Sequence, residues 1–148
     1  VFVKQSSYEV IKEYFRDKAD ESMLLYEIIR ADDGKYSFGN KITVPEKALK
    51  ISSERVSVDV RFIIYCIENM VNESKGLAIL HNHFSNRVFS PQDLFTMDKI
   101  LKLATQKKLL NMAFLIYENN TSKMLLKHFF LNKDLSLYNE TEEKIQYE

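Results

Sequence analysis

The chain has 148 residues, 45% of them hydrophobic and 28% charged, with Lys+Arg and Asp+Glu balanced at 21 each. That is the length of one globular domain with one core, and a formal net charge of zero leaves no overall basic footprint for nucleic acid. A single cysteine, Cys66, excludes an internal disulfide and suits a reducing compartment, while three glycines and two prolines argue against disorder and Gly-rich phosphate loops.

In chain order, Ser6-Ser7-Tyr8-Glu9 has the form of a capping box, with Ser6 at the N-cap and Glu9 at N3. Tyr8, Ile11, Tyr14, Phe15 and Ala19 then recur at helical spacing, which predicts an amphipathic helix to about residue 20. Residues 22–30, SMLLYEIIR, read as a buried strand. ADDG at 31–34 is a turn, and KYSFGNKITV completes a hairpin before Pro45. Residues 46–57 fit a short helix or an irregular connection. From about Asp59, Ile63, Ile64, Ile67, Met70 and Val71 share one helical face that also takes in Cys66, with Gly76 as the C-terminal stop.

LAILHNH, residues 77–83, is continuously apolar until its end, the pattern of a strand covered on both faces. Ser90 opens a helix to about Lys107, and NMAFLIYE and SKMLLKHFF follow as strands across an Asn119-Asn120 turn. The charged tail, 134–148, reads as a peripheral short helix or a frayed end. The whole predicts one α+β (mixed α/β) domain over residues 1–148, with a central, mostly antiparallel sheet flanked by helices. No run approaches the ~18 apolar residues of a membrane span, and no charged-then-apolar signal opens the chain, so a cytoplasmic domain is expected.

His81 and His83 lie two apart at a strand end, so both side chains point to one face and Asn82 to the other. Two imidazoles so placed can bind one metal ion together, and imidazole nitrogen is a preferred ligand of zinc. With Ser90 at the N-cap, Pro91 falls at N1 and Asp93 at N3, from which its carboxylate can turn back toward the preceding loop as a third ligand. A His2Asp set leaves a fourth tetrahedral position for water, the mark of a catalytic site, where zinc brings the water's pKa down to roughly 7. Amide hydrolysis further needs a base and an oxyanion donor; Ser90 suits the donor and a glutamate from another strand the base. Ser-Pro-x-Asp alone is an ordinary helix start and a histidine at a strand end is ordinary too. It is their conjunction that points to a site. His128, inside an apolar strand, reads as structural or surface, and Asp98 as solvated.

His81-Asn82-His83 followed by Ser90-Pro91-Gln92-Asp93 resembles the signature H-x-H…S-x-x-D of the JAMM (JAB/MPN) zinc metalloprotease family, and the predicted elements suit that fold over most of the chain. The resemblance implies zinc (Zn2+) held by His81, His83 and Asp93, Ser90 assisting the tetrahedral intermediate, and an upstream glutamate handling the water. Glu21, directly before the first apolar strand, matches that glutamate's place; Glu27, within the strand, is the alternative, while Glu9 and Glu13 read as solvent-facing. This chain departs from the family in having six residues rather than seven between His83 and Ser90, and Phe84 where a proline is usual. Leu24 and Ile28 replace small residues around the glutamate. Phe84, Val88 and Phe89 in that loop suit either a substrate groove or the core, with the core slightly favoured.

The family implies cleavage of the C-terminal linkage of ubiquitin or a ubiquitin-like protein, by an isopeptidase or a maturing peptidase. Small bacterial members accompany E1- and E2-like proteins, including in antiphage conjugation systems. Two other readings stand beside it. HNHFSN also resembles RadC-type proteins linked to DNA repair, and a catalytically silent MPN-like scaffold would share the fold. Neither direct nucleic-acid binding nor a membrane is expected.

Overall fold

The computed structural model describes residues 5–52, 55–131 and 138–144. The chain opens with helix α1 (Gln5–Arg16), then strands β1 (Met23–Arg30) and β2 (Tyr36–Ile42). A single 3-10 turn (Glu46–Ala48) leads into the short strands β3 (Leu49–Ile51) and β4 (Val56–Val58), and then helix α2 (Val60–Asn72). Strand β5 (Gly76–His83), helix α3 (Pro91–Gln106) and strands β6 (Asn111–Glu118), β7 (Lys123–Leu131) and β8 (Tyr138–Lys144) complete the order.

One sheet runs β2-β1-β5-β6-β7-β8, and β3 and β4 form a separate hairpin. Only β5 and β6 pair in parallel; every other neighbouring pair in the large sheet is antiparallel. The fold is therefore α+β, with a mostly antiparallel sheet between helices. Alternation of side chains along each strand splits the core in two. Ile11 and Phe15 of α1 pack with Ala78, Leu80, Ala113, Leu115 and Tyr117 on one face. On the other face Ile63, Ile67 and Met70 of α2, with Met97, Ile100 and Ala104 of α3, cover Leu77, Ile79, Met112 and Phe114. The apolar run of β5 is thus explained: it lies between β1 and β6 and is buried along both faces, apart from the half-buried His81.

Several local expectations are corrected. Helix α1 begins at Gln5, so Ser6 lies inside it rather than at its cap, and it ends at Arg16, leaving Ala19 exposed. Helix α2 starts as expected, with the Asp59 carboxylate accepting from Arg61 N–H at 2.8 Å. It stops earlier than Gly76, at a left-handed Ser74 (φ 56°), where Ser74 N–H bonds Val71 O at 3.2 Å and Lys75 N–H bonds Met70 O at 2.9 Å. Gly76 instead begins β5, where a Cβ would collide with the Asn111 side chain. Close approach, not helix termination, is the reason for glycine there. Residues 46–57 hold the β3–β4 hairpin, and the tail, read as a short helix or frayed, contributes β8, paired antiparallel with β7. Positions 134–137 and 145–148 of that tail lie outside the described residues.

Cys66 is a core residue, 3% exposed, and burial pushes its thiol up to about 11. No described helix is long and apolar enough to cross a membrane.

Candidate metal centre

The end of β5 and the start of α3 build the site. His81 pairs with Met23 of β1 and with Ile116 of β6, so the last turn of sheet before the loop is held from both sides. His81 and His83 project toward the α3 face. Asn82, fully buried between them, projects the other way: its Oδ1 accepts from Ser22 N–H at 2.7 Å and its Nδ2 donates to Asn119 Oδ1 at 2.8 Å. Asn119 in turn donates to Phe15 O at 2.8 Å, which ties the end of α1, the entry to β1, the end of β5 and the β6–β7 turn together.

Ser90 caps α3 with a complete capping box. Its Oγ accepts from Asp93 N–H at 3.1 Å, while Asp93 Oδ2 accepts from Ser90 N–H at 2.9 Å. That second bond turns the Asp93 carboxylate back toward the strand. Asp93 Oδ2 lies 3.1 Å from His83 Nε2 and 3.3 Å from His81 Nε2, and the two imidazole nitrogens are 3.1 Å apart. The six-residue loop therefore reaches far enough. It is braced by Asn119 N–H to His83 O at 2.9 Å and Asn120 N–H to Phe84 O at 3.2 Å.

The tautomer of His83 follows from its far nitrogen. His83 Nδ1 is 3.0 Å from Asn86 Oδ1, and that oxygen also accepts from Val88 N–H at 3.1 Å, which fixes it as the amide's oxygen. An oxygen acceptor requires the proton on Nδ1, so neutral His83 turns a lone pair on Nε2 toward the site. A carboxylate oxygen and imidazole nitrogens then converge, an arrangement that either a shared proton or a metal cation can satisfy. Three donors bound at 2.0–2.1 Å by a tetrahedral ion would be about 3.3–3.4 Å apart. The observed triangle of 3.1, 3.1 and 3.3 Å fits with little adjustment, and His81, His83 and Asp93 can hold a metal ion.

Without an ion, the hydrogen bond that protonated His83 donates to Asp93 raises the His83 pKa against the opposing effect of burial. Burial pushes the Asp93 carboxyl up, but its bonds from His81, His83 and the Ser90 N–H outweigh this and hold it well below the ordinary carboxylate range.

Glu21 lines the cavity shared with His81 and Asp93, two residues before Met23, the β1 partner of His81. Its carboxylate is 2.8 Å from the guanidinium of Arg55, and Val56 N–H bonds Glu21 O at 2.8 Å, so the β3–β4 hairpin is anchored here. Glu27 sits elsewhere. It pairs with Leu77, four residues from the His81 position and so about 13 Å along the strand. Lys75 holds it at 2.8 Å and Asn40 N–H donates to it at 3.1 Å. Glu9 and Glu13 are exposed on α1. Ser90, half-buried, uses its oxygen in the cap, which leaves its hydroxyl proton for another acceptor.

Of the loop aromatics and aliphatics, Phe89 is core at 7% exposure, whereas Phe84 and Val88 are exposed at 38% and 68%. Asp98 is solvated and pairs with Lys102 at 3.0 Å. His128 is buried against Asn111 at 3.1 Å, far from the site in β7. The residues that sequence reasoning missed are supporting ones: Asn86 behind His83, the Asn82–Asn119 link, Arg55 on Glu21, and Glu118. Glu118, buried beside His83, accepts from Thr121 at 2.6 Å and lies 3.6 Å from Arg87 of the loop. An amide three residues after a metal-ligand candidate was the one available signal for Asn86. The others depend on tertiary pairing. No protein-family model and no curated protein matches this chain.

Proposed function

We propose that this chain is a zinc-dependent peptidase of JAMM type, cleaving the C-terminal amide or isopeptide linkage of a ubiquitin-like protein. The observation that carries the reading is the convergence of His81 Nε2, His83 Nε2 and Asp93 Oδ2 beside a cavity that His81, Asp93 and Glu21 line. When bound there, zinc supplies a Lewis acid and acidifies a water to a pKa near 7.

The chain's own groups have the remaining roles. Glu21 takes the proton of the attacking water as its oxygen bonds to the carbonyl carbon. It returns that proton to the nitrogen as the C–N bond breaks, so the products are a carboxylate and a free amine. Arg55, 2.8 Å from the Glu21 carboxylate, positions it. The hydroxyl of Ser90 donates to the tetrahedral oxyanion. The ubiquitin-like tail as substrate, and E1- and E2-like proteins as companions in an antiphage conjugation system, are supported by the resemblance of the motif alone. A cytoplasmic setting rests on the lone buried thiol of Cys66.

An intact ligand triangle favours this reading over a silent scaffold. Zero net charge gives direct DNA binding no support. The test is to incubate the zinc-loaded chain with a panel of ubiquitin-like proteins carrying C-terminal extensions and to read the products by mass spectrometry. Scission at the domain's C-terminus, abolished in Glu21→Gln and His81→Ala, supports the proposal. Cleavage that survives His81→Ala, or none across the panel by zinc-bound protein, rejects it.

A further inference from the structure

Before the Met23–His81 pair, the chain entering β1 is outside the β5 ladder. Ser22 is 4% exposed, and a buried N–H without a ladder partner must find another acceptor. It finds the side chain of Asn82, the residue between the two histidines, whose Oδ1 accepts it at 2.7 Å. The Ser22 N–H and the Glu21 carbonyl belong to one peptide unit. That carbonyl accepts from Val56 N–H at 2.8 Å, so the unit is gripped at both ends, by β5 on one side and by the β3–β4 hairpin on the other. With this peptide plane held, the Cα of Glu21 is held too, and the side chain starts from there.

The amide of Asn82 can point only one way. A backbone N–H fixes the end toward Ser22 as oxygen, so Nδ2 donates on the other side to Asn119 Oδ1 at 2.8 Å. Asn119 Nδ2 then donates at 2.8 Å to Phe15 O, a carbonyl that can only accept. Aspartate at position 82 would set an oxygen against Asn119 Oδ1, and leucine, of similar size, would strand the Ser22 N–H. Ala78 and Leu80, which precede Asn82 on the same sheet face, are apolar core. The face turns polar at the one residue that touches the Glu21–Ser22 peptide.

We propose that Asn82 is the positioning residue of the general base: from the opposite face of the sheet it sets where the Glu21 carboxylate stands relative to the ligand triangle. The inference rests on the peptidase reading above. His-Asn-His then has two tasks, the outer side chains holding the metal and the middle one locating the group that works on the water. Arg55 orients the carboxylate itself, at 2.8 Å, while Asn82 fixes the backbone that bears it. A misplacement of about 1 Å at a reacting group can cost on the order of 100-fold in rate, so one side-chain bond to this peptide is enough to matter.

The test is a double-mutant cycle on acetohydroxamate affinity, titrated calorimetrically into the zinc-loaded full chain. Acetohydroxamate binds zinc through its two oxygens and shares its acidic proton with the base. Glu21→Gln weakens it roughly 10- to 100-fold, the range of a hydrogen bond to a charged group. Asn82→Ala, with all three ligands in place, takes up zinc like the unmodified chain and weakens acetohydroxamate by a similar factor. Adding Glu21→Gln to it then weakens binding by no more than about twofold further. Asn82→Val, which suits a strand and also lacks the acceptor, behaves alike and serves if the alanine variant does not fold. Asn119→Ala loses the far end of the relay but keeps the acceptor for Ser22 N–H. Its melting temperature falls while its acetohydroxamate affinity stays within about twofold, a split that a merely structural Asn82 would not produce. Additive effects of the two substitutions, unchanged affinity without Asn82, or loss of zinc on removing it each overturn the proposal. The two levels separate cleanly: no effect of Glu21→Gln in the otherwise unmodified chain brings down the Glu21 assignment and this inference together, whereas a Glu21 effect uncoupled from Asn82 brings down this inference alone.

Discussion

His83 Nδ1 donates to Asn86 Oδ1 at 3.0 Å, and this bond decides which lone pair of His83 faces Asp93. The exposed amide is itself held by Val88 N–H, so the loop between strand and helix orients the ligand it follows. Such outer partners matter to metal affinity by about 10- to 100-fold. Asn86→Leu is expected to weaken zinc binding by that order while leaving the fold unchanged, as read by competition with a chromophoric chelator. Unaltered affinity would detach Asn86 from the site.

Ser90 and Asp93 share the capping box but not the ligand role. Ser90→Ala removes the acceptor for Asp93 N–H and is expected to cost about 0.5–2 kcal/mol of stability, with zinc still bound. Asp93→Ala removes cap and ligand together and is expected to abolish zinc binding. Chemical denaturation with parallel metal analysis distinguishes the two.

Zinc and protons compete for the same atoms. In the metal-free protein the raised His83 pKa gives a stabilising contribution that is complete below the ordinary histidine value of about 6.5 and is lost as pH rises through the folded value. The lowered Asp93 pKa gives one that is present above about 3.9 and lost as pH falls through its folded value. The pair therefore stabilises the metal-free chain most between about pH 4 and 6.5. Zinc needs His83 neutral, so the rise in melting temperature on adding zinc is expected to be larger at pH 7.5 than at pH 5.5. An equal rise at both would place the metal elsewhere.

His128 provides an independent pH response. Burial lowers its pKa from 6.5 to about 3. The unfolded chain takes up a proton near 6.5 that the folded chain refuses until about pH 3, so stability is lost as pH falls across that interval, by a few kcal/mol at most. His128→Leu is expected to flatten this part of the pH–stability curve. It also costs about 1–3 kcal/mol at neutral pH by stranding the Asn111 side chain. Denaturant midpoints from pH 7 to 3 check both effects.

What could be read in advance depended on how local its cause was. Helix α3 was legible to the residue because Ser90, Pro91 and Asp93 are all adjacent-residue chemistry, and β5 because burial on both faces leaves an unbroken apolar run. The convergence of His81, His83 and Asp93 was foreseeable for the same reason, since period two and a cap geometry suffice. The β3–β4 hairpin was not, because three-residue strands carry too little alternation, and its anchor is the pairing with Glu21, 34 residues upstream of Arg55. Strand β8, YNETEEK, is an edge strand rich in residues of low β propensity, and pairing with β7 outweighs that composition. Gly76 suggested a helix stop because termination is the commoner use of glycine. Its cause, contact with Asn111, lies 35 positions away.

The central claim is that His81, His83 and Asp93 hold one metal ion, and equilibrium dialysis against zinc followed by metal analysis tests it most directly. The unmodified chain is expected to retain about one zinc per molecule, and His81→Ala, His83→Ala and Asp93→Asn to lose it while remaining folded by circular dichroism. A folded wild-type chain without zinc, or variants that retain it in full, would contradict the account.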